Sequence, residues 1–367
     1  MKFTDSKDSV KVNQILPILK EHFGNNINLA RIKLMALMIH ALCVVQTVSL
    51  HKLAAGMPSD VGRDSNMRRL QRFLAEFVLD LDLIARMIFS LLPVKTGLVL
   101  SMDRTNWKFG EFNINILMLG VTYKGIAFPL LFKLMSKRGN SNCKERKALV
   151  ERFIRLFGAD CIDCLVADRE FVGQDWIGWL NENHIRYYIR IRQNFWIINP
   201  RSGQEVRAWH LFNRLRVGEE LFYHKLYIHK GQYVYIAGAK LLDSDGKPGL
   251  QILICYNRPE QAVKTYKERW QIETLFRAMK SSGFNIEATH LRDMERISRL
   301  VAMVCIALVW AYLVGEHKDL NVKSIRILKH GHRAKSLVKY GLEEISDVLL
   351  RPWRGTNFDV FKFLSCS

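Results

Sequence analysis

Acidic residues are scarce in this 367-residue chain: 35 Asp plus Glu face 55 Lys plus Arg, leaving a formal net charge of +20 at pH 7 and a pI near 9.7. That imbalance points to a polyanionic partner, either nucleic acid or an anionic membrane surface. Long apolar runs are also lacking. A membrane span needs about 20 apolar residues. Leu300 to Gly315 is uncharged but shorter, and Leu29 to Leu50 is broken by Arg31, Lys33 and His40, so both read as buried helices and no membrane partner is expected. The opening residues, with Asp5, Lys7 and Asp8 ahead of Val10, lack the apolar region of a signal peptide, which makes the cytoplasm the expected location. Seven cysteines, an odd number at irregular spacing, exclude a disulfide framework. Cys161-x2-Cys164 has no second pair or His-x3-His partner, so core packing is expected there rather than zinc. No internal repeat or low-complexity linker divides the chain, and 49% hydrophobic content is that of a folded protein.

What is present is concentrated in residues 266 to 280, Tyr-Lys-Glu-Arg-Trp-Gln-Ile-Glu-Thr-Leu-Phe-Arg-Ala-Met-Lys. Wound as one helix, they set Tyr266, Arg269, Glu273 and Lys280 within a stripe about 60° wide. Ile272, Leu275, Phe276 and Met279 form a neighbouring apolar face for a core. A carboxylate, two cations and a phenol on one stripe suit a phosphodiester held beside a metal ion. Two further carboxylates each follow a short apolar run that reads as a buried strand: Asp103 closes Leu98 to Met102, and Asp168 closes Cys164 to Ala167.

The order Asp103, Asp168, Glu273, with Tyr-x2-Arg-x3-Glu-x6-Lys around the last acid, resembles the IS4-family DDE transposases of bacterial insertion sequences. Asp-Arg-Thr-Asn-Trp at 103 to 107 and Ala-Asp-Arg-Glu-Phe at 167 to 171 resemble that family's first two catalytic motifs, so the similarity extends over residues 95 to 315. It implies an enzyme that binds the inverted repeats of its own element as a homodimer, cuts double-stranded DNA and joins the 3′ ends to target DNA in the bacterial cytoplasm. The competing readings are a ribonuclease H-like nuclease that only cleaves, and an inactive transposase-derived DNA-binding protein.

The expected fold class is α/β, a ribonuclease H-like core with a β-rich insert, flanked by an N-terminal helical region and a C-terminal helical tail. Residues 1–94 read as helical and DNA-binding, with Arg68, Arg69 and Arg72 on a basic helix. Residues 95–192 give the order β-β-β-α-β-α-β, the first part of the core. Residues 193–256 alternate as a β-rich insert, 257–315 return to the core with the third acid, and 316–367 form a basic tail suited to assembly or DNA contact.

Three converging carboxylates repel one another unless a cation neutralises them, and an all-oxygen set suits Mg2+ or Mn2+. Two ions are expected, Asp103 bridging them with Asp168 on one and Glu273 on the other, about 3.5 to 4 Å apart. Arg269 offers a planar fork to phosphate oxygens, and Lys280 a long point charge. Tyr266 is expected on a further phosphate. Arg104, Asn106 and Trp107 after the first acid, and Arg169 with Glu170 after the second, are expected to rim the pocket toward DNA. In some family members a tryptophan of the insert receives a flipped base. Here the last insert strand, Leu250 to Tyr256, has no Trp, which leaves Trp196 and Trp209 as substitutes.

Overall fold

The computed structural model describes residues 9–365 apart from 244, 282, 330, 352 and 354–356. The N-terminal residues Asp5, Lys7 and Asp8 lie outside the described residues. The chain opens with five helices: α1 (Ser9–Phe23), α2 (Leu29–Val45), α3 (Leu50–Gly56), α4 (Arg63–Glu76) and α5 (Leu81–Leu91). The Asn28 side chain caps α2 by accepting from the Arg31 backbone N–H. The apolar stretch expected to run on to Leu50 instead breaks at Gln46, whose φ of 52° is left-handed. Helices α2 and α3 consequently meet at 103°.

Strands β1 (Leu98–Phe109), β2 (Phe112–Tyr123) and β3 (Ile126–Met135) form successive hairpins. Lys124 and Gly125, both at positive φ, make the two-residue turn between β2 and β3, the backbone hand that matches strand twist. Then come α6 (Cys143–Phe157), β4 (Ile162–Ala167), α7 (Gln174–Glu182) and β5 (Tyr187–Ile191). A capping box seals the start of α6: Asn142 accepts from the Glu145 N–H while Glu145 accepts from the Asn142 N–H. β1 runs antiparallel to β2 and parallel to β4, and β4 runs parallel to β5. Helices on such parallel neighbours and a leading meander are the ribonuclease H-like arrangement expected from the sequence.

The alternating residues that follow become β6 (Trp196–Ile198), β7 (Glu205–Arg207), β8 (Glu220–His229), β9 (Gln232–Leu242) and β10 (Pro248–Cys255). β10 pairs antiparallel with β5, so these strands extend the same sheet, which runs β3-β2-β1-β4-β5-β10-β9-β8-β6-β7. Cys164, Val166, Tyr188, Leu253 and Cys255 gather in one hydrophobic cluster with Ala262, Val263 and Tyr266.

The chain then forms α8 (Ala262–Tyr266), a 3-10 turn over Lys267–Arg269, α9 (Trp270–Met279), α10 (Met294–Asn321) and α11 (Leu337–Leu350). The single helix expected from Tyr266 to Lys280 is thus interrupted. Helix α10 is longer than its uncharged stretch because Glu295, Arg296 and Lys318 continue it past both ends. By length and composition it would cross a membrane, but 89% of its apolar window is buried inside the fold. Its all-round hydrophobicity is that of a core helix. Helix α11 crosses it closely at two glycines: a Cβ on Gly315 would overlap the Leu337 carbonyl oxygen, and one on Gly341 that of Ala311.

Candidate functional site

β1 and β4 hold the first two acids side by side. Their parallel pairing ends at Met102 and Ala167, so Asp103 and Asp168 are the next residue on each of two strands roughly 4.8 Å apart. Asp103 does not close its strand, as its apolar run suggested. β1 continues to Phe109 because it remains paired with β2, Asp103 opposite Met118 and Phe109 opposite Phe112. Asp168 does follow β4, in extended conformation ahead of a 3-10 turn at Arg169–Phe171.

The third acid is drawn in by a cation. Arg269 Nη2 donates to Glu273 Oε1 at 2.6 Å, and its Nη1 lies 3.4 Å from Asp103 Oδ2. The Arg269 side chain is only 11% exposed. Its backbone carbonyl accepts from Ser101 Oγ at 3.5 Å, tying the 3-10 turn to β1. Tyr266 is buried, and its hydroxyl donates to Asp168 Oδ1 at 3.4 Å; burial pushes this phenol's pKa up. One short helical segment therefore reaches all three acids: Tyr266 touches Asp168, Arg269 touches Asp103, and Glu273 lies on the other arm of the same guanidinium.

Burial pushes Asp103 up to about 6. The charges of Glu170 and Asp168 add to that rise, while the Arg104 backbone N–H, donating to Asp103 Oδ1 at 2.7 Å, and the Arg269 charge oppose it. Among the described residues, no three His, Cys, Asp or Glu side chains converge closely enough to hold a metal ion as they stand. The cation nearest Asp103 and Glu273 is Arg269 itself. The donor chemistry still suits a hard ion, being all carboxylate oxygen.

The remaining expected site residues differ in exposure and in the partners they hold. Lys280 caps α9, donating to the Asn106 carbonyl at 3.0 Å and pairing with Glu287 at 2.9 Å. Asn106 itself is exposed, as are Arg169, Arg68 and Arg72, while Arg69 is half-buried and donates to Asn66 Oδ1. Trp107, expected to rim the pocket, is 8% exposed and packs within the main core cluster. The Arg104 guanidinium is turned onto Glu170, Asn115, Asn140 and the Gly139 carbonyl. Trp196 is 48% exposed on β6 with the Arg207 guanidinium 3.8 Å above its ring, and Trp209 stacks on His210.

Sequence reasoning missed Arg146, a buried cation whose Nη2 donates to the Glu170 carbonyl at 3.0 Å. A signal was there: Arg146 lies on the same face of α6 as Leu149, Val150 and Phe153, where a charge must find buried partners.

The family model for the transposase DDE domain matches residues 127–310. That span contains Asp168 and Glu273 and begins after Asp103. In backbone arrangement the chain is similar to a piggyBac transposase solved by cryo-EM as a synaptic complex with hairpin DNA. The TM-score is 0.45 with 13% identity, covering 99% of this chain and 82% of that chain, and at that level residues do not transfer from one chain to the other. No curated protein matches.

Proposed function

The chain belongs to the transposase DDE-domain family, enzymes of metal-dependent phosphoryl transfer on DNA, and on that premise we propose that it is an IS4-like transposase with Asp103, Asp168 and Glu273 as its acids. It binds the inverted repeats of an insertion sequence, cleaves them and joins the 3′ ends to target DNA. The observation that carries this reading is the register of β1 and β4. It sets Asp103 beside Asp168 at the end of their pairing, with Glu273 linked to Asp103 through Arg269.

The three carboxylates would hold two Mg2+ or Mn2+ ions. Such ions supply a lowered pKa for an attacking water or 3′-hydroxyl and charge stabilisation at the departing oxygen. The protein's own groups do the positioning. Tyr266 orients Asp168 by hydrogen bond, and Arg269 sits where a phosphate oxygen of the DNA can exchange for a carboxylate as its partner. A net charge of +20 suits a duplex approached along its backbone.

In the proposed division of labour, the helical region up to residue 94 recognises the element's ends. Residues 95–192 and 257–315 carry the chemistry, 193–256 borders the DNA near the site, and the tail from 316 helps two copies assemble on the paired ends. The protein would act on DNA in the bacterial cytoplasm.

The test incubates purified protein with marked DNA carrying candidate inverted repeats, with and without Mg2+, and scores binding, cleavage and strand transfer. Asp103→Ala, Asp168→Ala and Glu273→Ala should each abolish cleavage and joining while end binding stays within about twofold, since these acids meet DNA only through metal. Cleavage without joining would favour a nuclease. Binding with neither would favour an inactive DNA-binding descendant.

A further inference from the structure

We propose that Arg104 and Glu170 form a positioning clamp that fixes Asp103 against Asp168, a role that rests on reading those two aspartates as ion-holding acids. The pairing of β1 with β4 stops at Met102 and Ala167. One residue later come the two aspartates, with no backbone ladder between their strands to hold their separation. Arg104 follows Asp103 directly, and Glu170 stands two residues beyond Asp168.

Between them the ladder is replaced by a fork-to-fork ion pair. Arg104 Nε donates to Glu170 Oε1 and Nη2 donates to Glu170 Oε2, each at 2.6 Å. This bidentate geometry restrains orientation as well as distance. The pair is largely withdrawn from solvent, at 13% and 22% exposure, so water competes weakly for it.

Both halves are anchored from behind. Arg104 Nη1 donates to the Gly139 carbonyl at 2.6 Å and to Asn115 Oδ1 at 3.3 Å, while Nη2 also reaches Asn140 Oδ1 at 2.9 Å. On the other side, the Glu170 carbonyl accepts from Nη2 of buried Arg146, whose Nε donates to Ser141 Oγ. Strand β2, the 139–141 loop and α6 therefore brace the clamp. With its fork occupied in this way, Arg104 has little left to offer a phosphate. Glu170, bound through both oxygens to a cation, is likewise not arranged as a metal ligand.

Groups that orient metal ligands without touching the ion typically change affinity or rate by about 10- to 100-fold when removed. The experiment compares Arg104→Gln, Glu170→Gln and the double variant in the full chain. Mn2+ binding to the DNA-free protein is read by electron paramagnetic resonance, end binding by its salt slope, and cleavage across Mn2+ concentration. Each single variant should weaken Mn2+ binding about tenfold, and the double variant should be no worse than either single. Cleavage should recover partly at high Mn2+, with end affinity and salt slope unchanged.

A reduced salt slope in Arg104→Gln alone would make that residue a DNA contact and overturn the proposal. Loss confined to Glu170→Gln would make Glu170 a ligand, with the same consequence. A lowered Tm with an unaltered Mn2+ response would leave a purely structural pair and also overturn it. Should the glutamine variants fail to fold, Arg104→Lys keeps the charge and loses the fork. It should still weaken Mn2+ binding several-fold, and an unchanged value would refute the clamp.

Discussion

Arg269 lies between Glu273 and Asp103, giving its short hydrogen bond of 2.6 Å to the former and a longer approach of 3.4 Å to the latter. A guanidinium in that place neutralises the two carboxylates that, in the proposed site, a metal ion would.

Removing the guanidinium should therefore act oppositely on two steps. In Arg269→Gln, Mn2+ binding to the DNA-free protein should tighten by about tenfold, since a charged hydrogen bond of roughly 1.5–3 kcal/mol no longer competes for Glu273. Cleavage of the DNA ends should nonetheless fall, because the fork for a phosphate is lost. Calorimetric titration with Mn2+ alongside a cleavage assay checks both, and unchanged or weakened Mn2+ binding would show that Arg269 does not compete with the ion.

Asp103 links pH to stability. Its folded pKa, raised to about 6 from an ordinary value of 3.8 by burial above all, means that the folded state binds the extra proton. Stability from this group is therefore highest below pH 4 and is lost as pH rises from about 4 to 6. In EDTA at pH 7.5, Asp103→Asn should unfold later than wild type by on the order of 2 kcal/mol. That advantage should disappear near pH 4. Urea unfolding at the two pH values measures it, and a destabilised Asn variant at pH 7.5 would contradict the burial argument.

How much of this could be read in the sequence follows from what kind of signal each feature leaves. Apolar runs ending in Asp103 and Asp168 are local, so the strand preceding each acid was legible, and so was the β-β-β-α-β-α-β order. The extension of β1 to Phe109 was not, because it depends on pairing with β2 rather than on hydrophobicity, and Arg104, Asn106 and Lys108 interrupt the apolar run. Nor was the joining of β10 to β5, a contact set by sheet register. The 3-10 turn at Lys267–Arg269 changes helical phase without changing the residue pattern. Partner choice was least legible: Arg104 and Arg269 look alike in sequence, yet one is spent on Glu170 and the other on the acids.

Tyr266 should matter less than its position suggests. Its hydroxyl meets Asp168 at 3.4 Å, near the long limit of a hydrogen bond, and its ring belongs to the core. Tyr266→Phe should lower cleavage less than about tenfold and cost under roughly 1 kcal/mol of stability. Tyr266→Ala should instead cost about 3–5 kcal/mol through the cavity it leaves. Thermal unfolding with cleavage kinetics separates the two, and a loss in the Phe variant as large as in Asp168→Ala would give the hydroxyl a direct role.

The α10 and α11 crossing has no room for a methyl group. At Gly341 a Cβ would meet the Ala311 carbonyl oxygen and the Gly315 nitrogen, both backbone atoms of the facing helix. Gly341→Ala should therefore destabilise the protein by roughly 1–3 kcal/mol despite alanine's better helix propensity. A Tm at or above wild type would show that the helices part easily.

DNA contacts should follow exposure and partners rather than charge alone. Arg68 and Arg72 are exposed on α4, on the side away from the buried Leu70, Phe73 and Leu74. Lys280 is committed to Glu287 and the Asn106 carbonyl, so a phosphate would have to displace both partners to reach it. Each phosphate contact contributes about 0.9 to the log-log salt slope of duplex binding. Arg68→Ala and Arg72→Ala should each lower the slope for end binding by about that amount and weaken affinity, with Tm unchanged. Lys280→Ala should leave the slope nearly as it is and act instead on cleavage, by loosening the junction of α9 with β1 beyond Asp103. Filter binding between about 50 and 200 mM salt provides the slopes. Equal changes in all three variants would mean that Lys280 leaves Glu287 to grip DNA, and no change in the α4 variants would move end recognition away from that helix.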